Sequence, residues 1–247
     1  MRALALDFDG VLCDSAREAF AVAVRTYRRA ISRELARGEA DETLFAEFVA
    51  LMPLGNRAED YAIALAAIER GRALDDQAAY DAFRRELDPA ALRAFHKQFY
   101  RERAAWIERD PVGWHALIRP YPGLCELLRR RAGDVSLWIA TAKDRRSVRE
   151  LLAHYGIDDL FPEHAVLDKE TAVAKREHVR LIAERARVPV AEVTFVDDKV
   201  NHLEDVAAIG ARCVLAAWGY NGARERRIAA ERGFLVCELS DFEARVF

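Results

Sequence analysis

After RPYPG at residues 119–123 the chain settles into a regular alternation. The short apolar runs VSLWIA, HAVL, VTFV, ARCVLAA and GFLVCEL are separated by other textures. Between them lie the amphipathic stretches RRSVRELLAHY, KREHVRLIAERA and HLEDVAAIG and a basic segment around residues 223–232. Apolar runs of this length suit strands buried on both faces, and the intervening stretches carry apolar residues at helical spacing. Strands that alternate with helices build a parallel sheet covered by helices on both faces.

The first residues share that character. RALALDF is short, apolar and closed by Asp-Gly, which supports a strand. From Ser15 to about Ile118 the texture is different, rich in Ala, Leu, Arg and Glu with few β-branched runs. Ser15 and Glu18 form a capping-box pattern, S-A-R-E, which opens a helix expected to run to about Arg37. Further helices are expected over residues 41–51, 57–70, 75–86 and 89–109, with MPLGN, RGRALDD and ELDP as breaks. The economical architecture is α/β. A Rossmann-like parallel-sheet core of residues 1–14 and 119–247 carries an inserted all-helical domain of residues 15–118.

The bulk properties exclude several classes. With 247 residues, 52% hydrophobic and 32% charged, the composition is that of a soluble globular protein. A formal net charge of −3 gives no global pull towards nucleic acid or anionic lipid. Charges interrupt every apolar run well short of a membrane span. Asp7 cuts the amino-terminal run before it reaches signal-peptide length, and no small-residue cleavage site follows. Cys13, Cys125, Cys213 and Cys237 are scattered without metal-ligand spacing, so reduced thiols and a cytoplasmic location are expected.

Three apolar runs end in polar residues: Asp7 and Asp9 after the first, Thr141 after SLWIA, Asp197 and Asp198 after VTFV. Alone, each has an ordinary reading as a turn residue or a helix cap. In a parallel sheet, however, the carboxyl ends of strands share one edge, where ligands bind near the topological switch point. Several carboxylates crowded at that edge repel one another unless a divalent cation joins them. Magnesium, an oxygen-seeking ion that keeps waters or phosphate oxygens, suits them.

In that order, DFDGV, SLWIAT, a lysine and VTFVDD resemble the four motifs of the haloacid dehalogenase superfamily. The inserted helical block is similar in position to that family's helical C1 cap. The resemblance implies a phosphatase that uses Mg2+ and a small phosphorylated metabolite. Asp7 would be the nucleophile that forms an aspartyl-phosphate, and Asp9 the acid that protonates the leaving oxygen and later activates water. Thr141, with Ala142 beside it, would bind the phosphoryl oxygens. Lys175 would offset charge on the nucleophile and the transferring group. The metal would be held by Asp7, the Asp9 carbonyl and an acidic residue of the fourth motif, with Asp198 matched to that place and Asp197 as helper or direct ligand. Lys169, in the turn-like LDKET, is the other candidate for the lysine. Lys175 is favoured because it opens a helix leading into VTFVDD.

The fourth motif departs from the family pattern of Gly-Asp followed later by Asp. Asp197 replaces the glycine, and the later position reads Asn201-His202. His202 is read first as an ordinary helix-surface histidine and otherwise, like Asn201, as a group that orients water. GNR at 55–57 resembles the family's substrate-specificity loop. Arg57 there would contact a substrate carboxylate or second phosphate, or simply stand exposed at a helix start.

Asp9 argues against dehalogenation, because a halide leaves without a proton. A Schiff-base phosphonate hydrolase is disfavoured, since Lys97 is the sole lysine of the helical block and sits late in a helix. A phosphomutase keeps both aspartates and is the alternative, as is a catalytically silent phosphate binder. A receiver domain would place its acidic pair first and its phospho-acceptor on a later strand, the reverse of the order here.

Overall fold

The computed structural model describes residues 2–247 apart from Arg33, Glu34, Ala36 and Asn56. Asn56 of the GNR segment, and three residues of the stretch expected to extend the first helix, therefore lie outside the described residues. The chain divides into two units, one of residues 1–14 and 119–247 and one of residues 15–118.

Residues 15–118 are helical: α1 (Ala16–Ala30), α2 (Glu42–Leu51), α3 (Ala58–Glu69), α4 (Gln77–Glu86), α5 (Pro89–Arg109) and α6 (Pro111–Ala116). Aspartates set most of the starts. Asp41, Asp76, Asp88 and Asp110 each accept a backbone N–H of the turn they open. Proline follows directly at the start of α5 and α6, where its missing N–H is harmless. Helices α1 and α3 pack on α5. Between the helices, Phe20, Phe48, Tyr61 and Phe99 form a chain of rings with centroids 5.4–5.5 Å apart.

Two expectations for α1 change. The helix stops at Ala30 rather than near Arg37, because the N–H groups of both Ile31 and Ser32 turn back to the Tyr27 carbonyl. A β-branched residue followed by serine is weak helix sequence at that point. The capping box also does not form. Ser15 makes no side-chain cap, and Glu18 is fully buried. Its carboxylate accepts from Arg103 at 2.6 and 2.7 Å and from the Trp114 indole at 3.2 Å.

The second unit begins with β1 (Ala3–Leu6), and β2 (Cys13–Asp14) pairs antiparallel with β3 (Arg119–Pro120). Then follow α7 (Leu124–Arg131), β4 (Ser136–Ala140), α8 (Arg145–His154), β5 (Val166–Leu167) and α9 (Lys175–Ala186). The chain ends with β6 (Val193–Asp197), α10 (Val200–Ala207), β7 (Arg212–Ala216), α11 (Ala223–Glu231), β8 (Leu235–Cys237) and α12 (Phe242–Val246). The strand order is β5-β4-β1-β6-β7-β8, and every neighbouring pair in it is parallel. β1 is thus central, with Ala3 level with Ser136 on one side and Val193 on the other. Strand residues buried on both faces explain the unbroken apolar runs. The ribbon, α6, α7 and α12 have no periodic signal long enough to be read from sequence. Among the described residues, no helix is long and apolar enough to cross a membrane.

Candidate active site

The chain leaves β1 for β4 on one side and later returns to β6 on the other, so the switch point lies at β1. One further backbone bond beyond the strand holds Asp7, whose N–H donates to the Val196 carbonyl at 2.9 Å. Thr141 is held likewise, by donation to the Leu167 carbonyl at 2.9 Å. Asp197 is the last residue of β6. The carboxyl ends of β4, β1 and β6 therefore bring Thr141, Asp7 and Asp197 together.

Helix α9 packs on β1, β4 and β6, and its first residue is Lys175. The Lys175 ammonium lies 2.9 Å from Asp7 Oδ1 and 3.4 Å from Asp197 Oδ2, and donates to the Ala140 carbonyl at 2.7 Å. All three side chains are buried. Asp197 Oδ2 also meets His202 Nδ1 at 3.0 Å, while Oδ1 accepts the Lys199 N–H at 2.9 Å. Asp198 Oδ2 accepts the Tyr220 N–H at 2.7 Å. It lies against Gly10, whose φ of +82° is the left-handed conformation, and a Cβ there would sit 2.5 Å from Asp198 Oδ2. Glycine is thus required behind the DFD segment for both torsion and space.

On the opposite side, Asp9 is half-exposed, and its Oδ1 meets Lys143 Nζ at 3.0 Å. Lys143 is buried, and its backbone N–H donates to Thr141 Oγ1 at 3.1 Å. Ala142 between them is exposed. Of the two candidate lysines, Lys175 has its ammonium against Asp7. Lys169 is half-buried in the turn after β5, where its N–H donates to the Lys143 carbonyl at 3.4 Å. Arg57 is exposed in the helical unit, and its backbone N–H donates to Asp60 Oδ2 at 2.9 Å.

One group emerges that the sequence reading did not single out, Lys143, and one that it placed second to a plain surface role, His202. Lys143 stands three residues past the end of β4, where a lysine reads from sequence as a solvated turn residue. His202, read as an ordinary surface histidine, is half-buried and reaches back to Asp197 from the first turn of α10.

The electrostatics follow from burial and crowding. Burial pushes the Asp7 carboxyl up to about 6, with Asp197 adding to the rise and Lys175 opposing it. Asp198 is pushed up to about 7, by burial first and then by Asp197 and Asp7, against the pull of Lys199. Burial raises Asp197 as well, but His202, Lys175 and the Lys199 N–H outweigh it and hold this carboxyl below its ordinary range. Lys175 is raised despite burial because Asp7 and Asp197 favour its charge. Asp7, Asp197 and His202 each offer a ligand atom, all within 4.8 Å of one another. The raised Asp7 and Asp198 carboxyls are what a hard divalent cation would relieve, and their oxygens fit such an ion.

The arrangement pairs a buried carboxylate with an ammonium beside it and a second carboxylate two residues on. That set can attack an electrophile, neutralise charge and move a proton. A family model described as a haloacid dehalogenase-like hydrolase matches residues 1–210. No curated protein matches the chain. Among solved structures, a predicted phosphoglycolate phosphatase from Haemophilus somnus is 18% identical, with a TM-score of 0.66, covering 98% of this chain and 96% of that one. A predicted phosphatase from Clostridium acetobutylicum is 12% identical, with a TM-score of 0.60 and coverage of 100% and 98%. A HAD family hydrolase from Deinococcus radiodurans, with bound phosphate and sodium, is 18% identical, with a TM-score of 0.56 and coverage of 97% and 90%. With a family model matching most of its length and a buried carboxylate at the switch point, this chain belongs to the haloacid dehalogenase-like hydrolases.

Proposed function

We propose that this hydrolase is a magnesium-dependent phosphatase, which removes phosphate from a small phosphorylated metabolite through an aspartyl-phosphate on Asp7. The observation that carries the reading is the buried Asp7 carboxylate at the end of β1, with Lys175 Nζ 2.9 Å away. In the first step an Asp7 oxygen bonds to phosphorus, the bond to the leaving oxygen breaks, and Asp9 gives that oxygen a proton. In the second, water attacks the same phosphorus, Asp9 takes its proton, and the Asp7 carboxylate is released. Lys143 orients Asp9, Thr141 and Ala142 bind phosphoryl oxygens, and Lys175 offsets their charge. Magnesium, held by Asp7, Asp198 and the Asp9 carbonyl with Asp197 beside them, would supply positive charge to the phosphoryl oxygens. Arg57 is assigned to the substrate's remaining anionic group. The four free cysteines are consistent with a reducing, cytoplasmic setting.

Phosphate release from an aryl phosphate tests the reading. Asp7→Asn should abolish turnover, and turnover retained in that variant overturns the nucleophile assignment. Asp9→Asn should lower the rate by about 10²-fold or more, most strongly with poor leaving groups. Chelation of divalent cations should stop release, and added magnesium should restore it. A panel of phosphorylated metabolites identifies the substrate. Phosphorylated small acids come first in it, because the Haemophilus somnus protein is described as a predicted phosphoglycolate phosphatase.

A further inference from the structure

Within the helical unit, α3, α4 and α5 line an open pocket of about 610 Å3. Its apolar surface includes Leu87, Pro89 and Leu92, from the α4–α5 turn and the start of α5. Basic groups surround it. Arg84 is engaged by Asp60 at 3.0 Å and His96 by Glu59 at 2.6 Å. Arg85, Arg93 and Lys97 also line the pocket, are exposed, and have no ion pair among the described residues.

That arrangement is unfavourable by itself. Arg93 and Lys97 are four apart on α5, a spacing at which like charges repel across one turn. Of the acids lining or flanking the pocket, Glu59 already meets His96 and Asp60 already pairs with Arg84. An anion seated among Arg85, Arg93 and Lys97 would relieve the repulsion, and the apolar wall beneath would take a hydrophobic body. The volume is that of a small-molecule site, which normally couples an apolar lining to a few placed polar groups.

We propose that this pocket binds a small amphipathic anion, an aromatic or medium-chain body with one carboxylate, sulfonate or phosphate group, gripped by Arg93 and Lys97. The site is separate in composition from the acidic strand-end cluster: every lining residue belongs to the helical unit, and its charge is of opposite sign. It does not depend on the phosphatase reading.

The full chain titrated with 8-anilinonaphthalene-1-sulfonate, followed by fluorescence, tests the proposal. Saturable binding of one dye per chain is expected, displaced by decanoate and not by inorganic phosphate, which lacks the apolar body. Arg93→Gln with Lys97→Gln keeps good helix formers, and should weaken binding at least tenfold while the circular dichroism spectrum stays unchanged. Arg93→Glu with Lys97→Glu should weaken it further. In Asp7→Asn the dye affinity should be unchanged. Unsaturable binding, undiminished affinity in the folded double variants, or loss of binding in Asp7→Asn overturns the proposal. So does capture of an acidic amphipathic peptide with no affinity for dye or decanoate.

Discussion

Lys175 places one ammonium between two buried carboxylates, Asp7 at 2.9 Å and Asp197 at 3.4 Å, and donates a hydrogen bond to the Ala140 carbonyl. Removing the cation leaves two anions facing each other out of water, a far worse state than removing one anion. Lys175→Met should therefore destabilise the protein by about 3–5 kcal/mol, and Asp7→Asn by much less. Urea unfolding of the two variants checks the order, and equal stabilities would refute the account. The pairing of Asp7 with a lysine was implied by the resemblance to the haloacid dehalogenase motifs, with Lys175 favoured because it opens a helix that leads into β6. The pairing of Asp9 with Lys143 was not, because a lysine just after a strand reads as a solvated turn residue until its burial is known. For His202 the surface reading ranked above the role of an orienting group, because helical periodicity does not reveal that the first turn of α10 reaches Asp197.

At the scale of elements, the start of α3 hangs on one buried carboxylate. Asp60 accepts from the Tyr80 hydroxyl at 2.6 Å, from Arg84 at 3.0 Å and from the Arg57 N–H at 2.9 Å. The same side chain lies so close to Gly55 that a Cβ there would collide with it. Asp60→Ala strips a partner from a buried hydroxyl and a helix-end N–H. It should cost about 2 kcal/mol, seen as a lower midpoint in thermal unfolding, whereas Asp60→Asn should lose less. No change in the midpoint for Asp60→Ala would contradict the role. Element boundaries were legible where local chemistry acts alone: Asp88-Pro89 starts α5, and α9 spans the amphipathic run KREHVRLIAERA. They were not legible where distant residues compete. Glu18 has the right spacing for a capping box, but Arg103, far along the chain, takes its carboxylate.

For the whole molecule, stability is tied to proton uptake at a buried imidazole. His178, on α9, has Nε2 at 3.0 Å from the Asp168 carbonyl, and burial, with Lys175 nearby, lowers its pKa to about 4. The unfolded chain binds its proton near pH 6.5, so between there and about pH 4 the unfolded state holds more protons. The stability of keeping His178 neutral is present above that window and is lost as pH falls through it, by about 3 kcal/mol at pH 4. His178→Gln keeps a donor for Asp168 and removes the titration. The gap in unfolding free energy between pH 7 and pH 4 should narrow by that amount, and an unchanged gap would exclude His178 as the cause.

The amino-acid sequence by itself determined the alternation of strand and helix, the helical interruption after the first strand, and the set of polar residues that close the strands. These depend on periodicity and turn chemistry, which act over a few residues. Only the tertiary structure decided which charges meet: Lys175 with Asp7 and Asp197, Lys143 with Asp9, Glu18 with Arg103, His202 with Asp197. Charge pairing in a protein interior depends on distance through space and on the exclusion of water, and neither is a property of neighbours in the chain.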